Sequence, residues 1–90
     1  MITKELKVIN ELGIHARPSS LIVKTALKFK SKIDFVKEDT RANAKSIMEV
    51  MMLAAVYGTQ IKLIVEGEDE IEAALEIENI FINGFFESYK

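Results

Sequence analysis

The sequence predicts an α+β fold: an open-faced sandwich in which a four-stranded antiparallel sheet carries three helices on one face, in the order βαββαβα. Two observations predict it. Three short segments alternate apolar and polar residues, the period of a strand with one wet face, and between them a longer segment spaces its apolar residues as a helix does. A sheet with one polar face favours antiparallel pairing, with the helices stacked on the other side.

Leu6 and Val8 alternate with Glu5 and Lys7 in the first strand. Gly13 breaks that pattern, and from about Ala16 to Phe29 the spacing is helical, with Leu21, Ile22, Thr25, Ala26 and Phe29 on or near one face. Ile33 and Phe35 alternate with Lys32 and Asp34 in the second strand. Glu38-Asp39 reads as a tight connection into a short third strand near Arg41 to Asn43. Ser46 opens a short helix to about Val56, and Gly58 stands in the favoured position for a helix end. Ile61, Leu63 and Val65 alternate with Gln60, Lys62 and Glu66 in the fourth strand. Gly67 turns the chain into a last helix, from about Asp69 to Asn83. Its end is more apolar than one stripe requires: of Ile80, Phe81, Ile82, Phe85 and Phe86, several are expected on the sheet and the rest at the surface.

Ninety residues, 1–90, are expected to form one domain, with no internal repeat or linker. A chain this short buries a modest share of its surface, so its core must be well patterned. Its 49% apolar content argues against disorder. A net charge of -2 speaks against a general nucleic-acid binder. The absence of cysteine excludes a disulfide framework and a thiolate zinc site, and fits a reducing compartment. Charges at Lys4 and Glu5 stand where a signal peptide would be apolar, and no apolar run approaches the roughly 20 residues that span a bilayer. The chain is expected to be cytoplasmic and free of membrane.

The chemistry concentrates in Gly13-Ile14-His15-Ala16-Arg17-Pro18-Ser19-Ser20, where a strand hands over to a helix. Proline is tolerated in the first helical turn, whose amides have no partner inside the helix. Pro18 therefore puts the helix start within a residue or two of His15. The residue before a proline is pushed away from helical angles, so Arg17 competes with His15 as the boundary. Either way, the helix start offers free N–H groups and the positive end of the macrodipole, which suits an anion. An imidazole has an unperturbed pKa of about 6.5, so it is mostly neutral at pH 7 and nucleophilic. A phosphoryl group on it would lie over those amides, and Arg17 adds a guanidinium that matches phosphate oxygens. A lone histidine near a helix start is more often a surface residue or a weak cap. A Gly-X-His-X-Arg-Pro string at a strand-to-helix turn is far more specific.

Gly13-Ile14-His15-Ala16-Arg17-Pro18 resembles the active-site motif of the histidine-containing phosphocarrier family, HPr, of the bacterial phosphotransferase system. Asn43-Ala44-Lys45-Ser46-Ile47-Met48 resembles that family's second signature, around its regulatory serine. The length, the element order and the Glu66-Gly67-Glu68-Asp69-Glu70 approach to the last helix also match, so the similarity spans essentially the whole chain. It implies that His15 accepts a phosphoryl group on Nδ1 from Enzyme I, which takes it from phosphoenolpyruvate, and donates it to IIA domains of sugar transport complexes. Arg17 would stabilise the phosphorylated state, and Ser46 would be the site of an ATP-dependent HPr kinase. Such a carrier is a substrate of enzymes and not itself an enzyme. It needs no cofactor, and the chain is expected to be a monomer, with a self-association patch at the apolar end of the last helix as the alternative.

Ser46 also has a purely structural reading. Ser46-Ile47-Met48-Glu49 fits a capping box, a cap that typically contributes about 1 kcal/mol. Glu49 stands where the family usually has glycine, and its charge opposes a phosphate on Ser46. The docking surface is expected along Ala16, Arg17, Ser20 and Lys24 of the first helix and Ile47, Met48 and Met51 of the second, a basic rim beside apolar anchors for acidic partners. Lys28 reads as solvated and Met52 as core. Two other classes compete. A regulatory HPr-like protein would act through Ser46 and could dispense with His15, against which the complete histidine motif counts. A stand-alone phosphatase or hydrolase would need a second catalytic group, for which Glu11 is the nearest carboxylate in sequence. One histidine without matching ligand spacing does not make a metal site.

Overall fold

The computed structural model describes residues 1–87 and contains four strands, β1 (Ile2–Lys7), β2 (Lys32–Lys37), β3 (Thr40–Asn43) and β4 (Gln60–Glu66). They form one sheet in the order β1-β4-β2-β3, every pairing antiparallel. The period-two pattern fixes the register. Leu6 faces Ile61, Ile33 faces Val65, and Phe35 lies between Leu63 and Ala42, so these side chains share one buried face. Thr3, Glu5, Lys7 and Lys62 alternate onto the other face, which meets solvent. Asp34 is the exception there, a carboxylate only 4% exposed. Arg41 donates to it from Nη2 at 2.8 Å and Nε at 3.0 Å, which supplies the pairing a desolvated charge needs.

Three helices cover the apolar face: α1 (Ala16–Ala26), α2 (Ile47–Met52) and α3 (Glu70–Ile82). The four antiparallel strands and three helices are those expected from sequence. Both of the first two helices are shorter than their spacing implied. At the end of α1 the amides of Lys28 and Phe29 bond back only three residues, to Thr25 and Ala26, and the tightened turn still buries Phe29. The second helix stops at Met52 instead of near Val56. Ala54 turns left-handed with φ +50°, and Lys37 Nζ donates to the Leu53 carbonyl at 2.8 Å, satisfying the helix end from a strand. Gly58 therefore does not close the helix; it shapes the loop into β4 and donates its N–H to Val8 O at 2.7 Å. Met52, expected in the core, is 73% exposed because the shortened α2 buries only Val50.

At α3 the surplus of apolar residues divides. Ile80, Phe81 and Phe85 are buried, with the Phe81 ring 5.7 Å from Phe35 and 4.8 Å from Phe85, while Ile82 and Phe86 are exposed. The start of α3 is tied to the loop after α1. Asp69 accepts the amides of Lys30 and Ser31, both at 2.9 Å, and the Ser31 hydroxyl. Gly67 allows this approach, since a Cβ there would lie 2.6 Å from Ser31 Cα. No helix among the described residues is long and apolar enough to cross a membrane.

Candidate functional site

The loop between β1 and α1 is held by backbone bonds before any side chain acts. Gly13 adopts φ +72°, and a Cβ at that position would stand 2.6 Å from the Ala55 carbonyl oxygen. The next residue, Ile14, donates its N–H to that same oxygen at 2.9 Å. His15 then leaves the loop as the N-cap of α1, extended at φ -98°, ψ -162°, with its carbonyl accepting the Ser19 N–H at 3.0 Å. This resolves the boundary that the sequence left open. Arg17 is helical although a proline follows it, and Pro18 occupies the third helical position, buried. Pro18 carries no N–H and Ser19 makes the first intrahelical bond. The amides of Ala16 and Arg17 therefore head the helix without an intrahelical partner, at the positive end of its dipole.

The His15 side chain does not cap its own helix. Its Nε2 lies 2.9 Å from Oε2 of Glu87. The other oxygen of Glu87 accepts from Asn10 Nδ2 at 2.8 Å, and the same Nδ2 bonds to the Gly13 carbonyl at 2.7 Å. One buried amide thus ties the histidine loop to the far end of the chain. The Glu87 side chain is 3% exposed and that of His15 35%, so the carboxylate lies behind a ring that still reaches solvent. Arg17 Nη1 is 3.9 Å from the same carboxylate, while its side chain is 81% exposed. Among the described residues no group bonds to His15 Nδ1.

Glu87 and Asn10 were not legible as site residues. The carboxylate nearest in sequence, Glu11, is exposed and makes no bond to His15 among the described residues. Glu87 takes that place from 72 positions away, and no periodicity or motif signals such a contact.

Ala16, Arg17, Ser20 and Lys24 are all exposed on α1. On α2, which packs beside it, Ile47, Met48 and Met51 are 41%, 71% and 44% exposed, an apolar patch that the core does not explain. Lys28 lies past the end of α1, is exposed and approaches Glu76 at 3.9 Å. Ser46 is the N-cap of α2 and accepts the Glu49 N–H at 3.3 Å. Only half of the expected capping box forms. The Glu49 carboxylate bonds to the Asn43 N–H at 2.9 Å, because Ser46 N–H is already donated to Asn43 O at 3.0 Å.

The family model that describes the HPr component phosphorylation site of the phosphotransferase system matches residues 2–83. The chain is 49% identical over 87 residues to the phosphocarrier protein HPr of Treponema pallidum, covering 97% of this chain and 99% of that one. In structure it is similar to an HPr from Thermoanaerobacter tengcongensis, with a TM-score of 0.94 at 39% identity over 99% of this chain and 100% of that one. The HPr-like protein Crh of Bacillus subtilis is more distant, 42% identical over 73 residues, covering 81% of this chain and 86% of that one.

Proposed function

This chain belongs to the HPr phosphocarrier family of the phosphotransferase system, and we propose that within it His15 is the residue that carries the phosphoryl group. Enzyme I supplies the group and IIA domains of sugar transport complexes receive it. The observation that carries this reading is the position of His15 as N-cap of α1, with the amides of Ala16 and Arg17, which have no intrahelical partner, directly after it. A phosphoryl group on the ring brings about two negative charges to the positive end of the helix, and the exposed Arg17 guanidinium closes on its oxygens. The chemistry is reversible transfer between partners, so the protein acts as a substrate of Enzyme I and does not turn over alone. The chain acts as a single carrier domain in the cytoplasm. The working form is a monomer, since His15, Arg17 and the exposed faces of α1 and α2 are all supplied by one chain.

Ala16, Ser20, Lys24, Ile47, Met48 and Met51 form the docking face for both kinds of partner. Ser46 is the candidate for an ATP-dependent HPr kinase, although Glu49 already holds a negative charge at the start of α2. A regulatory role through Ser46 alone is not favoured, since the matches to HPr phosphocarriers are stronger than those to Crh. The test is transfer onward. Phosphorylated protein, isolated and mixed with a IIA domain, is expected to lose its phosphoryl group as the IIA gains it; retention of the group on this chain would refute the carrier role.

A further inference from the structure

Gly84, Phe85 and Phe86 adopt φ +57°, +59° and +60°, three consecutive left-handed residues at the end of α3. That region is sparsely populated by residues with a side chain, and bulky ones are rare there. The turn persists because it is fixed at both ends. Phe85 is buried with its ring 4.8 Å from Phe81, and beyond the turn Asn10 Nδ2 holds the Glu87 carboxylate at 2.8 Å. A continued right-handed helix would carry the chain past the site. The left-handed turn instead delivers Glu87 to the His15 ring. An observed backbone outlier that aims one side chain at a reactive group is a reason to assign it a role.

Resting on the carrier reading above, we propose that Glu87 is a positioning residue for phosphoryl transfer, held by Asn10, and that it determines which nitrogen of His15 reacts. A neutral imidazole has one N–H and one bare nitrogen, and the hydrogen bond at one nitrogen decides the tautomer. A carboxylate accepts only. Facing Nε2 at 2.9 Å, it draws the proton to Nε2 and leaves the lone pair on Nδ1. In the transfer step that lone pair attacks the phosphorus of the donor. The P–Nδ1 bond forms while the donor's own bond to phosphorus breaks, and its electron pair leaves with the donor. The proton stays on Nε2, so the phosphorylated ring is cationic. Glu87 then balances that charge from the far side of the ring, with no proton to move. When the phosphoryl group departs, the same atoms return to the resting state. Arg17 Nη1 also lies 3.9 Å from the carboxylate.

The test is ¹⁵N NMR of ring-labelled protein at alkaline pH, beside Glu87→Ala and Glu87→Gln. In the parent, Nε2 is expected to carry the proton and Nδ1 to show the signal of a bare nitrogen. The Gln variant retains an acceptor oxygen and is expected to keep that pattern. Glu87→Ala is expected to give averaged signals from two tautomers, and phosphoryl acceptance slowed about tenfold, as when a histidine loses its orienting partner. Averaged signals in the parent, or an Ala variant identical to the parent in signals and rate, would overturn the proposal. Amide protection in α3 identifies any variant that has merely lost its fold, and Asn10→Ala, which removes one hydrogen bond to the carboxylate and leaves the carboxylate in place, is then expected to move the ring signals in the same direction as Glu87→Ala. The ring signals report on Glu87 even if the protein accepts no phosphoryl group, so failure of the carrier reading is distinguishable from failure of this one.

Discussion

Gly13 and Ala55 meet so closely that the Ala55 carbonyl oxygen would stand 2.6 Å from any Cβ at position 13. That oxygen accepts the Ile14 N–H, so the residue before His15 is anchored to the loop between α2 and β4. The cap geometry of His15 therefore depends on a contact between two loops. Gly13→Ala adds a clash to an unfavourable φ and is expected to cost about 1–3 kcal/mol of folding stability. Urea denaturation measures it. Stability within experimental error of the parent would mean that the loop does not need this contact.

Acid is expected to weaken the join between α3 and the loop after α1. The Ser31 hydroxyl, and then the Lys30 amide, hold the Asp69 carboxyl below its ordinary 3.8. A carboxylate with a depressed folded value contributes stability that is present above its unfolded value and lost as pH falls through the folded one. The parent should therefore lose stability below about pH 4, and Asp69→Asn should show a shallower acid slope. Thermal melts over that range decide it; equal slopes would remove Asp69 as the cause.

Ser46→Ala removes a side-chain cap and is expected to destabilise the protein by about 1 kcal/mol, with no loss of phosphorylation at His15. A denaturation midpoint unchanged from the parent would show that the Glu49 carboxylate on Asn43 is enough to hold the start of α2.

The elements were legible in the sequence because each shows its period directly. Leu6, Ile33, Phe35, Ile61 and Leu63 alternate, and Ile22, Thr25, Ala26 and Phe29 recur at helical spacing. The end of α2 was less so, since Lys37 capping a helix from a neighbouring strand leaves no local trace. The site divides the same way. His15 and Arg17 stood out because proline marks a helix start beside a lone histidine. Glu87 did not, because a left-handed turn through two phenylalanines contradicts their usual backbone preference.

Charge reversal tests the docking face. Lys24 is exposed on α1 on the same side as Arg17, so Lys24→Glu is expected to slow phosphorylation by Enzyme I mainly through weaker association, more so at low salt. A rate equal to the parent's at low salt would exclude Lys24 from that surface.

The most direct test of the carrier reading is the intact mass of the protein after incubation with Enzyme I and phosphoenolpyruvate, beside His15→Ala. One acid-labile phosphoryl adduct on the parent and none on the variant is the predicted result. An adduct that persists on His15→Ala, or a parent that several Enzyme I sources all leave unmodified, would contradict it.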